Sequence, residues 1–74
     1  HPGDAGLAVA LSQLLREHGE SASAMVTLER TVREHPQEAS AWTELARLHA
    51  ARGEPHDAVE CWRRVVALVP DDAG

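Results

Sequence analysis

The chain has 74 residues and a formal net charge of -5, with acids and Arg spread along it: six acids and three Arg in residues 1–38, six acids and four Arg in residues 39–74. A chain this short buries only about 60% of its unfolded surface, which leaves little room for a deep enzyme pocket. No basic patch offers itself to nucleic acid or to an anionic membrane, and the longest apolar run, Val65 to Val69, is far too short to cross a bilayer.

The first expected helix runs from Leu7 to His18, with Asp4 as its N-cap and Gly19 as its stop. Leu7, Leu11, Leu14 and Leu15 stand at i, i+4, i+7 and i+8 and mark its expected packed face. Ser21 is placed to cap a second helix, in which Ala24, Met25, Leu28 and Val32 share one face and which ends before Pro36. A third helix opens at Glu38 and closes at Gly53, with Trp42, Leu45, Ala46, Leu48 and His49 inward. Pro55 sits in the first turn of a fourth, where its missing N–H has no partner to lose. That helix runs to about Leu68 with Ala58, Val59, Trp62, Val65 and Val66 inward. No stretch alternates apolar and polar residues, so the fold class is all-α.

A short phrase recurs every 34 residues, as His-Pro-Gly-Asp-Ala from His1, His-Pro-Gln-Glu-Ala from His35 and Val-Pro-Asp-Asp-Ala from Val69. Sliding the chain by that interval makes 40 pairs of which 12 are identical, where a composition-matched chance pairing gives about four. The matches include Gly19/Gly53 and Pro2/Pro36/Pro70 at helix stops, and Leu11/Leu45, Leu14/Leu48, Ala24/Ala58 and Val32/Val66 at packing positions. A fixed period of this length marks helical hairpins that stack on one another to bury their apolar faces. The organisation read from it is a junction at 1–4, one repeat at 5–38, a second at 39–72 and a tail at 73–74.

The second unit resembles a tetratricopeptide repeat: Trp42, Leu45, Ala46, Gly53, Ala58, Trp62 and Pro70 occupy the positions of that family's pattern. The first unit keeps Leu11, Ser12, Gly19, Ala24, Leu28 and Pro36 but has Ala8 for the family's Trp and Glu34 in a usually apolar slot. The resemblance implies two stacked antiparallel helical hairpins, a fragment of a right-handed α-solenoid. It also implies a concave groove that takes peptides, lined here by Val9, Gln13, Arg16 and Glu17 and by Thr43, Glu44, Arg47 and Ala50. The family's carboxylate clamp uses Lys and Asn, both absent, so that mode is excluded. Arg16 and Arg47 retain the chemistry to fork onto a carboxylate, although solvated Arg beside Glu20 and Glu44 is the more ordinary state of such side chains.

Other chemistry has little support. His1, His18, His35 and His56 fall at helix ends or junctions without metal-ligand spacing, and His49 takes an aromatic packing slot, so no metal or other cofactor is expected. Cys61, the one cysteine, lies beside Glu60 and core residue Trp62, and nearby negative charge makes a thiol a poor nucleophile. With neither a phosphate loop nor a nucleophile and base pair, no enzymatic activity is expected. The absence of any disulfide favours a reducing, cytoplasmic compartment. Lack of Lys, Asn, Ile, Phe and Tyr beside abundant Ala and Arg points to a GC-rich, bacterial genome.

The expected function is protein–protein interaction, with a peptide or a partner helix bound in the groove or on an apolar end face. That end face is Val59, Trp62, Val66 and Val69, an apolar flank with no helix to cover it. It predicts a further repeat in a parent protein, or self-association as a homo-oligomer or a swapped dimer. The competing expectation is a structural or oligomerising segment that positions a neighbouring domain of a larger enzyme or assembly factor.

Overall fold

Helices stop where the sequence carries glycine and proline. A computed structural model describes residues 4–69, Asp4 by its backbone alone, as four helices: α1 (Asp4–Glu17), α2 (Ser21–Glu34), α3 (Ala39–Ala51) and α4 (Pro55–Leu68). The first and second pairs form hairpins through the same turn. Gly19 takes φ 79° and Gly53 φ 75°, left-handed values that cost an L side chain strain and glycine none. The turn then satisfies helix carbonyls that would otherwise lack partners. Glu20 N–H donates to Leu15 O at 2.7 Å and Gly19 N–H to Arg16 O at 3.1 Å, and Glu54 to His49 at 2.9 Å and Gly53 to Ala50 at 3.1 Å repeat the arrangement one period later.

This turn also moves the start of α2. Ser21 is expected as its N-cap, but Glu20 holds that place and makes no side-chain cap bond, while its backbone N–H donates backwards to Leu15. Likewise α1 begins at Asp4, three residues before the expected Leu7, and ends one short of His18. The cap role expected of the Asp4 side chain, and the junction residues at 1–3 and 70–74, lie outside the described residues.

Between the hairpins, Pro36 occupies the second position of a turn closed by Glu38 N–H donating to His35 O at 3.0 Å. Trp42 fastens this turn to α3, its indole N–H donating to Pro36 O at 2.9 Å, and the Arg64 guanidinium lies 5.2 Å from the Trp42 ring centroid. A cation over a partly buried ring such as this adds about 0.5–2 kcal/mol.

The helices stack in a row: α2 and α3 are interior, α1 packs on both, and α4 packs on α3. Fully buried Ala24, Ala41 and Ala46 let the helix axes approach, and Leu28, Leu45 and Leu48 fill the spaces beside them with Val9, Met25, Val32 and Cys61. Among the described residues there is no strand, and no helix is long and apolar enough to cross a membrane.

The first helix departs from expectation. Leu7, Leu11 and Leu14 are exposed, whereas Ala5, Val9 and Ser12, on the opposite side of the helix, are buried, and Leu15 is partly covered. The reason is where α1 stands in the row: its covered side faces α2 and α3, and the Leu stripe faces outward. Val59, Trp62 and Val66 in α4, also expected inward, are exposed for the same reason at the other end.

Candidate functional site

Every exposed apolar residue on the two end stripes has a buried counterpart 34 residues away. Leu11 is 49% exposed and Leu45 4%, and the pairs Leu7/Ala41 and Leu14/Leu48 divide in the same way. At the other end Val66 is 74% exposed and Val32 8%, with Val59/Met25 and Trp62/Leu28 alike. The chemistry of each pair is similar, so the difference lies in the neighbours. Among the described residues α3 has a hairpin packed in front of it and α1 does not, and α2 is followed by a helix and α4 is not. Leu7, Leu11 and Leu14 therefore form a surface equivalent to the one α3 turns to α2, and Val59, Trp62 and Val66 one equivalent to that α2 turns to α3. On α4 these three residues line a shallow hollow with Arg63 at its rim, and Val69, beyond the helix, is exposed.

The groove between α1 and α3 is of a different kind. Glu44, whose side chain is 8% exposed, is its hub: one carboxylate oxygen accepts from Gln13 Nε2 at 3.1 Å and faces Arg47 Nη1 at 3.5 Å, while the other lies 3.7 Å from Arg16 Nη1. A buried carboxylate is tolerated only with such partners. Thr43 donates its hydroxyl to Ala39 O at 3.0 Å, and Ser12 in the core donates to Val9 O at 2.7 Å. Gln13, Arg16, Glu44 and Arg47 are thus brought together as a link between α1 and α3 in which two Arg and one Gln share a single carboxylate. Val9, expected in the groove lining, is buried beneath it: α1 is rotated so that this position meets the core, which withdraws it from any peptide.

A third grouping surrounds the turn between α3 and α4. His49 Nδ1 lies 2.8 Å from Glu54 Oε1 and 3.9 Å from Asp57 Oδ2, and Arg52 Nε stands 3.5 Å from the second Glu54 oxygen. The donor atoms of His49, Glu54 and Asp57 fall within 4.8 Å of one another. Both oxygens of Glu54 are already engaged, and Asp57 is exposed, which is the geometry of a hydrogen-bonded turn clasp. The His49 hydrogen bond, with Arg52 beside it, holds the Glu54 carboxyl below its ordinary value of 4.5. A depressed folded-state value adds stability above the unfolded value and loses it as pH falls through the folded one. Glu54→Gln should therefore melt below the parent at pH 7, and the gap should close progressively below about pH 4.5; thermal melts across that range give the comparison.

Cys61 is buried in the core, and burial first, then Asp57 and Glu60, push its thiol above the ordinary value. It is a packed, protonated side chain with none of the character of an activated nucleophile.

The chain matches the tetratricopeptide repeat family over residues 5–48 and again over residues 39–74, which together cover nearly all of it. It belongs to the tetratricopeptide repeat family. No curated protein and no solved structure matches it. Tetratricopeptide repeats generally mediate protein–protein interaction and are typically scaffolds rather than catalysts.

Within a tetratricopeptide repeat protein the end stripes are the surfaces that stacking would cover; of these the sequence offered Val59, Trp62, Val66 and Val69, and the structure leaves all four exposed. The α1 stripe was missed, although the 34-residue pairing with Ala41, Leu45 and Leu48 carries the signal once α3 is known to be covered by α2. The clasp around His49 was missed as well, since Glu54 and Asp57 reach it only across the Gly53 turn.

Proposed function

We propose that this chain is a non-catalytic protein-interaction module that docks amphipathic helices on its two apolar end faces, Leu7, Leu11 and Leu14 on α1 and Val59, Trp62 and Val66 on α4. The observation carrying this is the 34-residue pairing of exposed with buried side chains, because the buried equivalent of each face packs against one face of an amphipathic helix, which supports the same kind of surface as its partner. Family membership supports the general role, and the ends have the exposed apolar side chains that a docking helix needs. The concave groove is the lesser reading, since Arg16, Arg47 and Gln13 already serve Glu44 and a ligand carboxylate would have to compete with it.

A stapled, fluorescently labelled peptide with the sequence of α3, Ala39–Ala51, tests this by anisotropy titration. Stapling removes the cost of folding so short a helix. The peptide should bind, Val66→Glu should weaken it at least tenfold, and Arg47→Glu should leave it unchanged. Loss with Arg47→Glu alone would move the site to the groove, and no binding at any concentration would sink the end-face reading.

A further inference from the structure

We infer that a second copy of this chain is the occupant of both end faces, the α1 face of one copy seating on the α4 face of the next so that copies associate head to tail. This rests on the end-face reading above and names the partner. The argument begins from the junction inside the chain, where α2 presents Met25, Leu28 and Val32 and α3 presents Ala41, Leu45 and Leu48, all buried. One period away, α4 presents Val59, Trp62 and Val66, and α1 presents Leu7, Leu11 and Leu14, all exposed. The two open faces are thus the two halves of a junction the fold already makes once. Each copy carries one of each half, so association needs no other chain.

The pairing is heterologous. The α4 face is the counterpart of α2, which meets an α3-like surface and not another α2, so a symmetric α4-to-α4 dimer does not reproduce the junction. Heterologous contacts add copies until a ring closes or continue without limit. Size is not conserved across the change: at the open junction Leu7 is larger than Ala41 and Trp62 larger than Leu28, and Val59, smaller than Met25, offsets only part of this, so the open junction holds its helices further apart than the internal one.

Polar residues make the open junction looser than the internal one. Inside the chain Glu44 of α3 locks onto Gln13 and Arg16 of α1. At the open junction the incoming α1 puts Ala10 at the place of Glu44, and it meets Arg47 and Ala50 at the places of Gln13 and Arg16. At these three positions no acid is left unpaired and no like charges meet, but the lock is absent. The assembly should therefore be reversible and dependent on concentration.

Analytical ultracentrifugation of the 74-residue chain from micromolar to millimolar concentration tests this. The average mass should rise past two copies. Leu11→Glu leaves a good α4 face and Val66→Glu a good α1 face; each alone should remain a single chain, and an equimolar mixture should give a complex of two chains and nothing larger. Both positions are exposed, so circular dichroism should show both variants folded. A mass that stays at one chain throughout overturns the proposal, as does a dimer that stops at two copies and survives either substitution, the behaviour of a symmetric or swapped pair. If the α3 peptide still binds α4 while the chain stays single, self-association fails and end-face docking stands; if neither occurs, both fail.

Discussion

Replacing Leu28 by Ala is expected to leave the chain largely unfolded at room temperature. Leu28 has no exposed surface and sits at the centre of the α2–α3 junction, among Ala24, Met25, Leu45 and Leu48. Truncating a buried Leu to Ala costs about 2–5 kcal/mol through lost transfer energy and the cavity left behind. A core of this size rarely supplies more than about 3–5 kcal/mol in total, and two open end faces place this one among the weaker. The counterpart substitution, Trp62→Ala one period later, removes a larger side chain that is already 41% exposed and should cost markedly less. Urea denaturation followed by far-ultraviolet circular dichroism compares the two. A Leu28→Ala midpoint equal to the parent's, or a greater loss from Trp62→Ala, would mean that the burial described for the α2–α3 junction is not what holds the hairpins together.

Covering the α4 face covalently should stabilise the chain by about 3 kcal/mol. Residues 1–72 followed directly by a copy of residues 5–38 preserve the 34-residue period, because Ala5, Ala39 and Ala73 are equivalent. The added first helix then lies where the next helix of the stack belongs, over Val59, Trp62 and Val66. Taking three such half-exposed side chains out of water gives roughly 1 kcal/mol each. In a repeat array stability is approximately a sum of unit and nearest-neighbour interface energies, so the gain should appear in the melting of the whole protein. A rise of about 10 °C in midpoint is expected from the usual few degrees per kcal/mol in a domain of this size. The same fusion with Leu11→Glu and Leu14→Glu in the added copy should lose most of that rise. Two separate transitions, the first at the parent's midpoint, would show instead that the faces do not meet.

How far the sequence could be read follows from what each residue depends on. Gly19 and Gly53 were legible as stops because a left-handed turn is a local demand that glycine meets by itself. Ala24, Leu28, Leu45 and Leu48 were legible as core because they lie on interior helices with neighbours on both sides. Leu7, Leu11 and Leu14 share the same spacing and were misread, since spacing gives the angle around a helix and not whether anything stands opposite. Val9 failed for the complementary reason: a position assigned to the groove by resemblance met the core once α1 took its place against α2 and α3. Glu44 was seen as a groove residue without its role as hub, because Gln13 and Arg16 belong to another helix and come within reach only when α1 and α3 pack.

The sequence by itself determined four helices, two identical turns and a 34-residue period, all properties of short segments whose backbone preferences and apolar spacing are written locally. The tertiary structure decided which apolar face of each helix is covered, which charges meet in the groove, and that the two exposed stripes are halves of one junction. Burial and pairing belong to two elements at once, so the same Leu is core on α3, where α2 stands in front of it, and open surface on α1.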